Sequence, residues 1–503
     1  MHNKKELLSR RNAVRQAVGA AGLSAIFKMT EGPAEAQARR GGAGQVPGGA
    51  APGGAAPAGA ARGGGGGGGR GAANVRYGAI NKYSSPSDLR ITDMRALTVA
   101  ANFDYPIIRL DTNQGVYGLG EVRDAGTKNS ALMLKQFVVG ANPLNISSIL
   151  RTIRPYAWHG RQGGGYSAVD LALHDLVGKV FGVPVWRLLG DKYRDRVRMY
   201  CDTVSSKDPK VYAQRMQRRK ASGYTFFKMD LQTQQLIGDK PAAVDSRGVA
   251  TAKGLLMLCE YIAAIRDIIG WDAPLAVDHF GPLDVYDSIN YARAFEPYRL
   301  AWAEDILQVN TLNRGDAPLN WRAYKQIKAA TATPLGGFES LFGLEEGYKN
   351  FLDNDAIGVI HPDPGTSGQC RETKRIADYA GQYGIPTAIH MAGSPLGTMG
   401  AVHTVATVEN FLAMECHAAD FMSWWQELVA GVPKPIIDKG YITVPDTPGL
   451  GIELNEPVVK EHLRYPGYFE PTTDWDNATA RPQGTTGYPH FNAEGQWVTT
   501  REE

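Results

Sequence analysis

The 503-residue chain has few cysteines, and none of them stand at close spacing. Its four cysteines are Cys201, Cys259, Cys370 and Cys416, and they form no CxxC pair. This pattern excludes the common zinc-finger and CxxC redox motifs and provides no disulfide framework. We therefore predict that the four thiols behave as small core side chains.

The chain also lacks a long hydrophobic run and a strong net charge. Its apolar N-terminal run, AVGAAGLSAIF, is too short and too weakly hydrophobic to remain across a bilayer. The formal charge is +3, of which residues 1–73 contribute +7, so residues 74–503 carry −4. A mildly acidic folded part gives no support for nucleic-acid binding. We expect neither a nucleic-acid partner nor a stable membrane anchor.

The N-terminus has the three regions of an export signal. Arg10 and Arg11 precede the apolar run, and Ala36-Gln37-Ala38 offers a small-x-small cleavage site. Paired arginines before such a run indicate a bacterial twin-arginine signal over residues 1–38 and a periplasmic location. A disordered basic leader without an export role is the alternative. Residues 39–90 are rich in Gly, Ala and Pro and predict a flexible linker.

Residues 91–195 predict an α+β domain. ITDMRALTVA and DYPIIRLDTNQGVYGLGEV have the composition of strands joined by turns. In YSAVDLALHDLVGKVFGVPVW the apolar residues Val169, Leu173, Leu176 and Val180 recur at helical spacing. Gly182 and Pro184 then predict the end of that helix.

From about residue 196 to residue 440 the pattern changes to alternating strands and helices. The strand candidates are VRMYCDT, TFFKMDL, APLAVDHF, LAWAEDI, TPLGGFE, AIGVIHPD, PTAIH and NFLAMEC. Eight strands alternating with helices predict a parallel (β/α) barrel, because parallel neighbours need crossover connections. Residues 441–503 are expected to return to the first domain and to end in a surface tail.

Ionisable side chains follow seven of these eight strands. They are Lys228 and Asp230, Asp278, Glu304, Glu339, Asp363, His390 and Glu415. In an α/β barrel the carboxyl ends of the strands carry the active site. Charged groups beside buried strands are costly unless they share a ligand or pair with one another. The series therefore predicts one polar site at this end of the barrel.

Asp278, Glu304 and Glu339 stand on three consecutive strands. Neighbouring strands are about 4.8 Å apart, so three carboxylates at one level converge on one point. Three anions there repel one another unless a cation is present. Oxygen ligands without cysteine favour Mg²⁺, with Mn²⁺ as the second choice. Helix capping or salt bridging is the alternative for any one of them.

Asp363 and His390 end the next two strands. Side chains on neighbouring strand ends meet as a base and the group that orients it. A turn Asp and a structural His are the alternatives for each residue taken alone.

Taken together, these motifs resemble the enolase superfamily, in its mandelate racemase and muconate lactonizing enzyme branch. The resemblance covers roughly residues 91–463 and rests on DLALHDLVGKVFGVPVWRLLG, VDHF, WAED, GGFE, HPDPGTSG, GIPTAIH and TPGLGIEL. It implies an α/β fold with a modified TIM (β/α) barrel and an N-terminal α+β capping domain. It also implies Mg²⁺ on Asp278, Glu304 and Glu339, and a catalytic Asp363–His390 dyad.

One departure from the family pattern narrows the predicted reaction. Racemases of this group carry Lys-x-Lys on the second barrel strand, whereas this chain has Lys228-Met229-Asp230. Asp230 is a doubtful second base, so we predict dehydration of an aldonic or aldaric sugar acid by His390 as the only base. Removal of the proton next to the carboxylate would be followed by loss of the β-hydroxyl as water, giving a 2-keto-3-deoxy acid.

Several supporting roles are also predicted. His279 and Glu415 compete as the acid that protonates the leaving hydroxyl, and Lys228 is expected to bind the substrate carboxylate. Other candidates for substrate contacts are Asp230 in the barrel and, in the capping-domain loops, Tyr105, Arg123, His159 and Arg161. We expect a homo-oligomer, a dimer or an octamer. Alternatives to a dehydratase are a racemase or epimerase of a carboxylate substrate and a non-catalytic, metal-dependent sugar-acid binding protein.

Overall fold

The structure is a computed structural model that describes residues 88–307, 320–417, 422–476, 490–491 and 497–498. The predicted export signal (1–38) and nearly all of the predicted linker (39–90) lie outside these residues, so both stay predictions. Within the described ranges, no helix combines the length and the apolar character that a membrane crossing needs.

The N-terminal part of the described chain is the predicted α+β capping domain. Strands β1 (Ile91–Val99), β2 (Tyr105–Thr112) and β3 (Gly118–Glu121) form an antiparallel sheet in the order β1-β2-β3. Its helices are Asn129–Leu132, Lys135–Val138, Ile146–Ile153, Gly165–Phe181 and Val185–Leu189. Short turns connect the strands because each pair is antiparallel and adjacent in sequence.

The helix Gly165–Phe181 lies between this sheet and the barrel. Its first fourteen residues are all buried, so it is covered on every side rather than on one amphipathic face. Gly118 and Gly120 of β3 let it approach closely, since a Cβ at Gly120 would lie 2.0 Å from the carbonyl oxygen of Ala168. As predicted, the helix ends at Gly182, which has the left-handed conformation that favours glycine.

The eight predicted parallel strands form a closed barrel, which confirms the predicted fold class. They are β4 (Arg196–Cys201), β5 (Phe226–Asp230), β6 (Leu275–Asp278), β7 (Trp302–Glu304), β8 (Leu335–Gly337), β9 (Val359–Ile360), β10 (Thr387–Ile389) and β11 (Phe411–Cys416). Each strand pairs with the next in sequence, and β11 pairs with β4 to close the barrel.

Helices connect most of these strands. Their bounds are Pro209–Ala221, Thr233–Ile237, Ala252–Ile269, Val285–Phe295, Trp321–Ala329, Lys349–Asp353, Pro364–Ser367, Gln369–Gln382 and Pro395–Ala406. The crossover between β9 and β10 is the helix Gln369–Gln382, which sets the end of β9 beside the end of β10.

An apolar layer fills the inside of the barrel. It is built from one inward-facing residue on most strands, namely Tyr200, Phe226, Ala276, Trp302, Val359, Ala388 and Ala413. Such layers make the centre of an α/β barrel a packed core instead of a channel. This layer forms the floor on which the polar side chains at the strand ends stand.

The chain after the barrel contacts both domains. Strand β13 (Tyr441–Thr443) pairs antiparallel with β4, and β12 (Val429–Ala430) pairs with β14 (Glu453–Leu454). The segment then reaches the capping sheet, where the Ala100 amide donates to the carbonyl of His462 and the Arg464 amide to that of Thr98. The last long element is the helix Glu456–Glu461.

Glu121 links the capping sheet to the barrel through a helix N-terminus. Its carboxylate accepts hydrogen bonds from the Ser394 amide at 2.9 Å, the Gly397 amide at 3.2 Å and the Ser394 hydroxyl. The two amide donors belong to the start of the helix Pro395–Ala406, and Ser394 is its N-cap residue. Burial raises the pKa of Glu121 to about 7, and the hydrogen bonds from Ser394 oppose that rise.

Candidate active site

The barrel strands bring all the ionisable residues predicted at their ends to one mouth. Lys228 and Asp230 lie on β5, Asp278 and Glu304 are the last residues of β6 and β7, and Glu415 lies on β11. Glu339, Asp363 and His390 follow β8, β9 and β10 within three residues. The parallel register places these positions at the carboxyl end of the barrel, where the predicted site was expected.

His390 and Asp363 are in direct contact. His390 Nδ1 lies 2.5 Å from Asp363 Oδ2, and both residues are at least 97% buried, with 3% and 2% of their surface exposed. Asp363 is held in turn by the Thr366 amide, which donates to its other oxygen at 3.2 Å. A carboxylate on one ring nitrogen fixes the tautomer and leaves the other nitrogen free for chemistry.

The second nitrogen of His390 points to the predicted metal ligands. His390 Nε2 lies 2.8 Å from Glu339 Oε2 and 4.0 Å from Glu415 Oε2. Burial opposes charging of the ring, but Glu339 and Asp363 hold the pKa of His390 well above its usual value. These two carboxylates therefore favour the protonated form of the ring in this arrangement.

Lys228 stands at the centre of three carboxylates. Its Nζ lies 2.8 Å from Glu415 Oε1, 3.1 Å from Asp278 Oδ2 and 3.3 Å from Glu304 Oε1. Burial opposes its charge, but these carboxylates hold the pKa of Lys228 well above its usual value. The ammonium group is thus a fixed positive charge on the floor of the site. Its predicted contact with a substrate carboxylate stays a prediction.

Glu304, a predicted metal ligand, is held by two further side chains of the barrel. His361 Nδ1 lies 2.9 Å from Glu304 Oε1, and the Trp302 indole donates to Oε2 at 2.9 Å. Tyr200 hydroxyl lies 2.5 Å from the other nitrogen of His361. Despite burial, His361 and Lys228 lower the pKa of Glu304 to about 2, so it is ionised at any physiological pH.

The three predicted metal ligands suit a hard divalent cation by donor type and by charge. All three offer carboxylate oxygen, and burial together with repulsion from Glu304 raises the pKa of Asp278. That repulsion marks excess negative charge, which a cation would relieve. Glu339 instead contacts Arg123 and His390. Among the described residues, the ligand atoms of Asp278, Glu304 and Glu339 do not all lie within 4.8 Å of one another.

His279 lies at the open side of the site. Strand β6 ends at Asp278, and His279 has a φ of 58°, so the chain leaves the strand at this residue. Neighbouring residues on a strand point to opposite faces, but because the strand ends at Asp278 the His279 ring can face the same mouth. The ring is about half exposed, and Nε2 lies 3.6 Å from Asp278 Oδ2. Asp230, Asp278 and His279 offer ligand atoms within 4.8 Å of one another.

Glu415 is a poor proton donor in this arrangement. Burial opposes its ionisation, but Lys228 and His417 hold the pKa of Glu415 well below its usual value. It therefore carries no proton to give while Lys228 remains in place. The donor role stays a prediction that requires this contact to change.

Four of the five predicted substrate-binding residues differ in how far their polar side-chain atoms already have hydrogen-bond partners in the protein. The Tyr105 hydroxyl donates to Asn102 at 3.2 Å, and His159 Nδ1 accepts from the Phe342 amide at 2.9 Å. Arg161 is partly exposed and donates to Asp124 at 3.1 Å. Asp230 keeps one buried carboxylate oxygen without a hydrogen-bond partner. Arg161 and Asp230 thus retain capacity for a substrate, and all four roles stay predictions.

Arg123, the fifth, is engaged with the barrel itself. Its side chain is completely buried, and Nη2 donates to Glu339 Oε1 at 2.8 Å. It therefore has no surface left for a ligand, and its contacts point to another role.

Sequence reasoning missed several polar residues of the site. His361 and Tyr200 support Glu304. Asp305 is a partly buried carboxyl group beside it, and burial together with repulsion from Glu304 raises the pKa of Asp305 well above its usual value. His417 lies 3.2 Å from Glu415 Oε1 and 3.7 Å from Asp202 Oδ2, with its ring 5.6 Å from that of His390. His417 is thus a further proton donor candidate.

Family models match both domains of the chain. The model described as mandelate racemase / muconate lactonizing enzyme, N-terminal domain, matches residues 86–190. The model described as enolase C-terminal domain-like matches residues 211–458. The two matched ranges contain every residue predicted for the site.

Characterised relatives and solved structures agree with these matches. The D-xylonate dehydratase of Haloferax volcanii is 31% identical over 389 residues, which cover 75% of this chain and 89% of the relative. The D-galactonate dehydratase of Variovorax paradoxus is 26% identical over 405 residues, covering 78% and 98%. The crystal structure of a mandelate racemase/muconate lactonizing enzyme-like protein from Rubrobacter xylanophilus superposes with a TM-score of 0.69 at 27% identity, over 76% of this chain and all of that one.

Proposed function

The chain belongs to the mandelate racemase/muconate lactonizing enzyme family of the enolase superfamily, and from this membership we propose a magnesium-dependent, one-base dehydration of a sugar acid. The chain is a hydro-lyase of the sugar-acid dehydratase type, in keeping with its relatives that dehydrate D-xylonate and D-galactonate. Family membership implies a divalent metal ion. Magnesium as that ion, and the roles of individual residues, are the finer parts of the proposal.

The observation that carries the proposal is the presence of a buried base on one face only. His390 and Asp363 form that base, whereas the position that would hold a second base carries Asp230. Burial and repulsion from Asp202 raise the pKa of Asp230 well above its usual value. Racemisation needs a competent base on each face, and this site favours elimination.

The site residues have separate roles in the proposed reaction. Asp278, Glu304 and Glu339 would hold the metal ion, which when bound stabilises the negative charge that develops on the substrate carboxylate. His390 takes the proton from the carbon next to that carboxylate, and Asp363 keeps the ring in the tautomer that can accept it. Lys228 favours the ionised forms of Glu304 and Asp278 and contacts both carboxylates. An acid on the open side then protonates the departing β-hydroxyl.

A substrate panel in deuterated water tests the function. The enzyme with Mg²⁺ is incubated with aldonic and aldaric acids, and keto-acid formation and deuterium uptake next to the carboxylate are followed separately. We expect at least one acid to give a 2-keto-3-deoxy product. Deuterium uptake with inversion and without loss of water would instead identify an epimerase. Binding without either reaction would identify a sugar-acid binding protein.

We further propose that His279 protonates the leaving hydroxyl. Its ring is exposed at the mouth of the site and lies beside Asp230. His279 follows strand β6, which lies across the barrel from β10, the strand that precedes His390. The variant His279→Asn should lower keto-acid formation by about 10²–10⁴-fold, the usual contribution of a positioned acid. Exchange of the α proton with deuterated water should persist, because His390 is intact.

His417→Asn is the matched comparison for that experiment. His417 is the other unassigned histidine at the mouth, but it lies beside Glu415 on the same side as His390. If this variant, and not His279→Asn, keeps exchange while losing keto-acid formation, the donor is His417. If neither variant separates the two reactions, a histidine donor is wrong.

A further inference from the structure

We infer that Arg123, a residue of the capping domain, is a positioning residue that fixes the predicted metal ligand Glu339 and the base-orienting Asp363 at the same time. The inference rests on the proposed metal-dependent function and deepens it. It assigns to the capping domain a part in building the metal site, besides covering the substrate.

The guanidinium group holds Glu339 at two points. Nη1 donates to the backbone carbonyl of Glu339 at 2.7 Å, and Nη2 donates to its side-chain Oε1 at 2.8 Å. Main chain and carboxylate are thus fixed by one planar group. The other carboxylate oxygen, Oε2, remains on the side of His390, 2.8 Å from Nε2. Arg123 thus engages Oε1, and Oε2 is the oxygen that would remain to bind a cation.

The same group holds the loop that carries Asp363. Nη1 also donates to the Thr366 hydroxyl at 2.8 Å, and the Thr366 amide donates to Asp363 Oδ1 at 3.2 Å. Nε lies 3.5 Å from Asp363 Oδ2, the oxygen that contacts His390. Arg123 therefore lies between the ends of β8 and β9. It connects the predicted metal ligand Glu339 with Asp363, the residue that orients His390.

Two glycines allow the capping domain to reach this position. A Cβ at Gly365 would lie 3.0 Å from the Cα of Arg123, and a Cβ at Gly164 would lie 2.8 Å from its backbone nitrogen. Any larger side chain at either point would push the backbone around Arg123 away from the barrel. The close approach lets a completely buried guanidinium replace water around both carboxylates.

A lysine cannot perform this task. The contacts need donors in one plane that reach a carbonyl, a carboxylate and a hydroxyl together, and an ammonium group is a compact point charge without that geometry. Arg123→Lys thus keeps the positive charge but loses the planar set of guanidinium donors. Arg123→Met removes both and keeps an unbranched side chain.

Magnesium binding in the absence of substrate tests the inference. The full-length protein is stripped of metal and titrated with MgCl₂ by calorimetry. Loss of an outer partner of a metal ligand typically weakens metal binding by about 10–100-fold, and we expect a loss of this size for Arg123→Met and for Arg123→Lys. Activity should partly return at high Mg²⁺ concentration.

Arg154→Met is the matched control. Arg154 is also a capping-domain arginine that pairs with barrel carboxylates, donating to Glu346 at 2.7 Å and Glu372 at 3.2 Å, but neither carboxylate belongs to the site. Its loss should lower the urea midpoint without changing Mg²⁺ affinity.

Two results would overturn the inference. One is wild-type Mg²⁺ affinity in both folded Arg123 variants, and the other is an equal loss of affinity in Arg154→Met, which would mean that general domain attachment is responsible. If Arg123→Met does not fold, as judged by circular dichroism, Arg123→Lys decides. Because no substrate is present, the result is independent of which sugar acid, if any, is dehydrated.

Discussion

The variant His390→Asn is expected to lose keto-acid formation by about 10⁴-fold, the upper end of what a positioned base contributes. Asparagine has nearly the size of the imidazole and can still donate to Asp363, so the packing of this buried site changes little. It cannot accept a proton. Since His390 is the only base in the proposal, exchange of the α proton with deuterated water should disappear together with keto-acid formation.

That joint loss distinguishes the base from the acid. A variant of the proton donor keeps exchange, whereas a variant of the base loses both reactions. His462→Asn is a suitable control, because His462 stacks on Trp424 at 3.9 Å and lies outside the site. It should leave both rates unchanged. Continued exchange in His390→Asn would show that another group takes the proton and would remove the central residue of the proposed mechanism.

Much of the barrel and its site could be predicted because buried strands that end in ionisable residues leave a strong pattern. Asp278, Glu304 and His390 each follow a short apolar run, and parallel strands must bring such positions to the same end. The family resemblance then assigned the order of metal ligands and base. The structure agrees on the strands and on the contact between Asp363 and His390.

The supporting residues were missed although a signal existed for two of them. His361 stands two positions before Asp363 and His417 two positions after Glu415. Both stand next to a predicted site residue at the carboxyl end of a strand, so both were candidates for the same mouth. Tyr200 had no comparable signal, because it lies in no motif that the resemblance uses. Asp305 belongs to the WAED motif, but it directly follows Glu304, and successive side chains on a strand point to opposite faces.

The role of Arg123 could not be read from sequence for a different reason. Its partner Glu339 is 216 positions away and belongs to the other domain. An arginine in a polar loop usually faces solvent, and only the docking of the two domains shows that this one is buried. Sequence therefore suggested a substrate contact, whereas the structure shows a contact between the domains.

Each predicted metal ligand at the mouth contacts at least one cationic side chain. Lys228 offsets Asp278 and Glu304, while His390 and Arg123 offset Glu339. The proposed base His390 thus contacts the predicted metal ligand Glu339. We propose that a cation bound at Glu339 would lower the pKa of His390 and so link metal binding to the basicity of the ring.

Removal of divalent metal by a chelator is accordingly expected to abolish keto-acid formation completely, and added Mg²⁺ should restore it. Mg²⁺ should also stabilise the folded protein, by about 2.7 kcal/mol at a concentration of 100 times its dissociation constant, because only the folded state gathers the carboxylates. Thermal unfolding with and without Mg²⁺ measures this. In Glu339→Gln the charge that draws the ion is reduced, so the Mg²⁺-dependent rise in melting temperature should shrink. Full activity after exhaustive chelation, confirmed by metal analysis of the protein, would contradict the metal requirement. A rise in melting temperature that is equal in Glu339→Gln would instead place the bound ion elsewhere and separate it from the base His390.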